Sequence, residues 1–180
     1  MTTILEDYQT YTAPRWVRRT VERLVQSLAE EHLHGVSAII LTDSARIRVR
    51  KDGRRPRRNR SGVVVGRYHP RSQEPAWIEL IVDDIVLSMP KPFHRLQAAR
   101  DAAFGRVLFH EVGHHLHLTV GSAGRGGESS ADAWESRLSR MHMRKRYGYL
   151  RPVFPVIRIV VRVLRVAARF QVTERSRRDG

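Results

Sequence analysis

The sequence predicts an α+β domain in which a small, mainly antiparallel twisted sheet carries helices on one face. Three observations lead there. Residues 12–28 and 93–118 place apolar side chains at three- and four-residue steps, the mark of helices with one buried stripe. Between them lie short apolar or alternating runs bounded by turn residues, which read as strands. The helices that carry the chemical motif follow the strands instead of alternating with them.

Taken in order, Pro14 suits a first helical turn, where its missing N–H has no helical acceptor anyway. Trp16, Val17, Thr20, Val21, Leu24, Val25 and Leu28 form the stripe, and Gly35 is a plausible stop. Residues 36–41 read as a buried strand. Residues 46–50 alternate Arg-Ile-Arg-Val-Arg, a half-exposed strand, and Asp52-Gly53 marks a turn. Residues 62–68 and 77–82 are two further strands, joined through His69-Pro70 and Glu74-Pro75. Pro90 and Pro92 close the strand region. The helix over 93–118 has Leu96, Ala99, Ala103, Val107 and Leu108 on one broad face. A glycine-rich loop over 121–127 leads to a second helix over 128–147. Pro152 and Pro155 then precede a last helix over 156–170 and a polar tail. The expected organisation is one domain over 1–150 and a basic C-terminal appendage over 151–180.

Of the 180 residues, 33 are Lys or Arg and 18 are Asp or Glu, a formal charge of +15. Such a surface favours an anionic partner without naming one. There is no cysteine, which excludes disulfides and any thiolate metal site. The first 14 residues carry Glu6 and Asp7 and no apolar run, unlike a signal peptide, so the expected location is the cytoplasm.

The chemistry centres on His110-Glu111-Val112-Gly113-His114. Two imidazoles four apart on a helix project from one face and can share one zinc ion. Glu111 lies beside them and can take the proton of an attacking water. Gly113 costs helix stability but leaves room for a neighbouring backbone. A catalytic zinc site needs a third protein ligand. A histidine six residues after His114 would serve, but Val120 stands there. Glu128 is the best candidate, because it follows a reversing turn and opens the next helix. Asp132, one turn on, can accept the ring N–H of His110 or His114. Glu135 shares that face but lies deeper along the helix.

These residues resemble a known pattern. HExxH at 110–114, followed by Glu128-Ser129-Ser130-Ala131-Asp132, is similar to the gluzincin zinc metallopeptidases, above all the minimal gluzincins and their IrrE/ImmA-like relatives. The resemblance spans about residues 76–140. It implies a zincin-like fold, a twisted sheet above an active-site helix and then a glutamate-bearing helix. It also implies one Zn2+ per chain held by His110, His114 and Glu128, with Glu111 as general base and Asp132 behind the ligands. The His or Tyr that stabilises the oxyanion in larger members has no assigned counterpart here.

Around this core, His69, Tyr68, His117, His142 and Tyr147 are candidates for an oxyanion donor or the cleft rim. His115 points elsewhere and reads as structural. Trp77, Ile78, Glu79 and Leu80 form a candidate substrate strand, to whose edge an extended peptide could add. Residues 46–60 hold nine basic residues, from Arg46 to Arg60, and one acid. They could grip phosphates, but no aromatic interleaves them for base stacking. Arg158, Arg162, Arg165 and Arg169 form a stripe on the last helix. That helix could lie on an acidic membrane surface or pack against the domain or a partner. The expected function is hydrolysis of peptide bonds in a peptide or protein substrate. The alternatives are a metal-bearing regulatory or nucleic-acid-binding module, and a latent, self-inhibited peptidase.

Overall fold

The structure is a computed structural model that describes residues 2–45, 65–70, 75–119 and 127–149. It is α+β. The elements run β1 (Thr3–Asp7), α1 (Trp16–Ser27), a 3-10 turn (Glu30–Leu33), β2 (Val36–Thr42), β3 (Gly66–His69), β4 (Ala76–Ile81), α2 (Val82–Ser88), a 3-10 turn (Lys91–Arg95), α3 (Gln97–Thr119) and α4 (Gly127–Tyr147). The chain divides into two compact units, Met1–Met143 and Arg144–Gly180. The expected strand at 46–50, the basic stretch 46–60, most of the glycine-rich loop and the helix over 156–170 lie outside the described residues.

The sheet order is β1-β2-β4-β3. β1 and β4 both pair with β2 in parallel, and only β3 and β4 are antiparallel. The sheet is therefore mixed, not mainly antiparallel. The reason lies in the connections: α1 carries the chain from β1 back to its starting end before β2, and such a crossover makes neighbouring strands parallel. β1 itself was not anticipated. Its five residues include two acids and no apolar run, so pairing with β2 decides its conformation.

β4 shows a second departure. Its apolar run continues without a turn residue into α2, where Val82, Ile85 and Val86 are buried at helical spacing. Asp83 and Asp84 in the first turn favour the change of structure, and Asp83 accepts hydrogen bonds from the Ser44 backbone N–H and hydroxyl.

The core lies between the sheet and α1 and α3. Val17, Val21 and Leu24 of α1 and Phe104, Val107 and Leu108 of α3 meet Ile39, Leu41, Ile78 and Leu80 of the sheet. Within this core, Asp101 of α3 is buried and bonded to Arg23 of α1 and His142 of α4, so three helices share one carboxylate. Among the described residues no helix is long and apolar enough to cross a membrane.

Candidate metal centre

α3 and α4 come into close contact at Gly113. A Cβ there would stand 2.7 Å from the carbonyl oxygen and 2.8 Å from the Cα of Ala131, so only glycine permits the contact. His110 and His114 lie three residues before and one after Gly113, and Glu128 and Asp132 lie three before and one after Ala131. The helix crossing therefore brings these four side chains together.

The His110 and His114 Nε2 atoms are 3.2 Å apart. A Glu128 carboxylate oxygen lies 3.5 Å from His110 Nε2 and the other lies 3.8 Å from His114 Nε2. A tetrahedral centre with bonds near 2.0–2.1 Å sets its donors about 3.3 Å apart. The three residues thus form a group that could hold a metal ion, and two nitrogens and a carboxylate suit a borderline cation such as zinc. Glu128 is largely exposed, so its attraction to the histidines alone contributes little.

Of the two partners considered for Asp132, the structure selects His110: its Nδ1 is 3.1 Å from Asp132 Oδ1. A carboxylate accepts, so Nδ1 carries the proton and the Nε2 lone pair faces the triad. Burial, and then the neighbouring His110, hold His114 below the usual imidazole pKa. It is therefore kept in the neutral form that binds metal.

Glu111 is buried under β3. Gly66 on that strand leaves space for it, since a Cβ there would lie 2.9 Å from Glu111 Oε1 and 2.5 Å from Val107 Cγ1. Burial raises the Glu111 pKa to about 7; Glu128 adds to the rise, while a hydrogen bond from the Tyr68 backbone and the charge of Arg67 oppose it. The signal for this strand was present in the sequence, because an isolated glycine in a strand often marks a close backbone approach.

The candidate substrate strand needs correction. Trp77, Ile78, Glu79 and Leu80 lie on β4, which is paired on both sides. The open edge beside Glu111 belongs to β3, among the described residues. Val65 accepts the Ile81 N–H at 2.9 Å, and bonded pairs alternate along the antiparallel register. Arg67 and His69 therefore bond β4, whereas Gly66 and Tyr68 turn their backbone groups outward.

Two further candidates lie away from the triad. His69 stacks on Trp77 and lies 3.4 Å from Glu79, on the sheet face opposite Tyr68 because side chains alternate. His142 is buried against Asp101, about 20 Å along α4 from Glu128 at 1.5 Å per residue. The Tyr68 hydroxyl is bonded to His115. His117 sits beside Gly127 at the start of α4, its Nε2 3.8 Å from where a Cβ would stand, and so lines the rim. Tyr147 ends α4.

No family model, curated protein or solved structure matches the chain.

Proposed function

We propose that the chain is a zinc-dependent metallopeptidase of the gluzincin type, with a zincin-like arrangement of sheet and helices. The observation that carries this reading is the convergence of His110, His114 and Glu128 at separations suited to one tetrahedral ion, with Glu111 buried alongside. A bound zinc ion supplies the Lewis acidity that makes water a nucleophile at neutral pH. Glu111 accepts the proton of the attacking water and returns it to the leaving amine. A carboxyl group beside the reacting atoms can do both. The outward backbone groups of Gly66 and the outward carbonyl of Tyr68 offer an extended peptide main-chain hydrogen bonds beside Glu111. His110 is held in the right tautomer by Asp132.

The test uses an unfolded protein such as casein. Purified protein should contain one zinc per chain and cleave it. A chelator should stop cleavage. Glu111→Gln should abolish cleavage with zinc retained. Zinc at one per chain without cleavage by the wild type would overturn the peptidase reading.

A second reading has its own support. The described residues contain as many acidic as basic side chains, so the whole surplus of positive charge belongs to the remaining segments. A metal-bearing module with a separate contact to a polyanion would show this pattern. It predicts nucleic-acid binding that weakens steeply with salt.

A further inference from the structure

The edge strand above Glu111 is also held, one turn further along α3, by a chain of polar groups. The Tyr68 hydroxyl lies 3.0 Å from His115 Nδ1, and His115 Nε2 lies 2.9 Å from the His34 carbonyl oxygen. A carbonyl can only accept, so Nε2 carries the proton. Nδ1 is then an acceptor, and the Tyr68 hydroxyl donates to it. Every polarity in the chain is thereby set. The His115 ring is 2% exposed and meets the Tyr68 ring edge-on at 5.5 Å. The chain joins β3, α3 and the segment leading into β2.

Tyr68 faces two ways. Its side chain reaches down to His115, while its backbone N–H points out of the edge of a strand that passes over Glu111, where a Cβ at Gly66 would lie 2.9 Å from Glu111 Oε1. Among the described residues β3 is four residues long and is paired on one side. A strand so short can roll about its axis unless a side chain pins it. Rolling would withdraw the Tyr68 N–H from Glu111 and leave its pairing with β4 nearly intact.

We infer that Tyr68 and His115 are positioning residues: their hydrogen bond locks β3 onto α3, and the locked strand holds the Tyr68 backbone N–H against Glu111. Neither residue touches the three donors of the metal group. The role of Glu111 as a base rests on the reading proposed above, but the locking of the strand does not.

The experiment compares wild type, Tyr68→Phe, His115→Leu and His115→Gln in the full chain, loaded with zinc. Amide exchange at residue 68 should be slow in the wild type although it lies on the strand's outer edge. It should quicken about tenfold in Tyr68→Phe and His115→Leu, the effect of losing one hydrogen bond. The amides of residues 67 and 69 should change far less. Zinc content should stay at one per chain. Cleavage of casein should lose kcat with KM unchanged. His115→Gln, which can both donate and accept, should restore much of the protection and the rate. Slow exchange at residue 68 in Tyr68→Phe overturns the inference. So does a His115→Gln that behaves like His115→Leu, which also decides the matter if Tyr68→Phe fails to fold. A wild type without zinc or cleavage refutes the peptidase reading alone, since the exchange comparison still reports on the lock.

Discussion

Replacing Gly113 by alanine adds one methyl group at the point where α3 and α4 cross. That methyl would sit 2.7 Å from Ala131 O and 2.8 Å from Ala131 Cα, against ordinary contacts of about 3.5–4.0 Å between carbon atoms. Both neighbours are backbone, so no rotamer change relieves the clash and α4 must retreat by several tenths of an ångström or more. In an unconstrained helix the substitution stabilises by about 1 kcal/mol. Overpacking costs about 1–3 kcal/mol. Without metal, α4 can move outward and shed part of that strain. With metal, Glu128 must return to within bonding distance of the ion His110 and His114 hold, and metal–ligand distances tolerate only about 0.2 Å. The strain therefore appears in the loaded state. Gly113→Ala should weaken zinc binding about tenfold to a hundredfold and shift the metal-free melting temperature by only a few degrees. Chelator competition and thermal melts with and without zinc measure both. Gly148→Ala, where a Cβ meets nothing within 4 Å, is the control. Unchanged zinc affinity in Gly113→Ala refutes the argument that helix approach at this glycine assembles the site.

Asp132→Asn should lower zinc affinity about 10- to 100-fold by loosening the His110 ring, with the metal-free fold unchanged; equal affinity by competition titration would remove Asp132 from the site. Glu111 gives a pH dependence of defined sign in the metal-free protein. Its folded pKa of about 7 exceeds its ordinary 4.5, so the fold favours the protonated carboxyl, and that stabilisation is complete below pH 4.5 and lost as pH rises through 7. Relative to Glu111→Gln, the wild type should lose up to about 3 kcal/mol across this window; urea unfolding in the presence of a chelator at pH 4 and 8 checks the slope, and a gain in that direction contradicts it. Asp101→Asn should cost about 3 kcal/mol, because it removes the carboxylate that the Arg23 guanidinium and His142 share in a buried network. A urea midpoint close to the wild type's would show that the network contributes little.

What could be read in advance was local. A helix has a rigid 1.5 Å rise, so the apolar stripes of α1 and α3 and the spacing of His110, Glu111 and His114 place those side chains relative to one another before any tertiary contact forms. α4 is largely polar, yet the glycine-rich run before Glu128 and the Glu128–Asp132 spacing located it. The expected helix at 93–118 begins four residues late, because a 3-10 turn occupies Lys91–Arg95.

The tertiary structure decided everything that depends on two distant segments meeting. β1 is a strand only because β2 lies beside it. The strand directions follow from where the crossovers return the chain, which no period of the hydrophobic pattern encodes. His142 and Asp132 are both polar residues on α4, but one is sealed in the core against Asp101 and the other stands at the helix crossing against His110. The edge that faces Glu111 belongs to β3 rather than β4, because β4 is paired on both sides. Composition by itself established the absence of thiol chemistry and the surplus positive charge, since these need no geometry. The selection of Asp132 for His110, and of the β3 edge for Glu111, required the fold, because side chains far apart in the chain acquire partners only through packing.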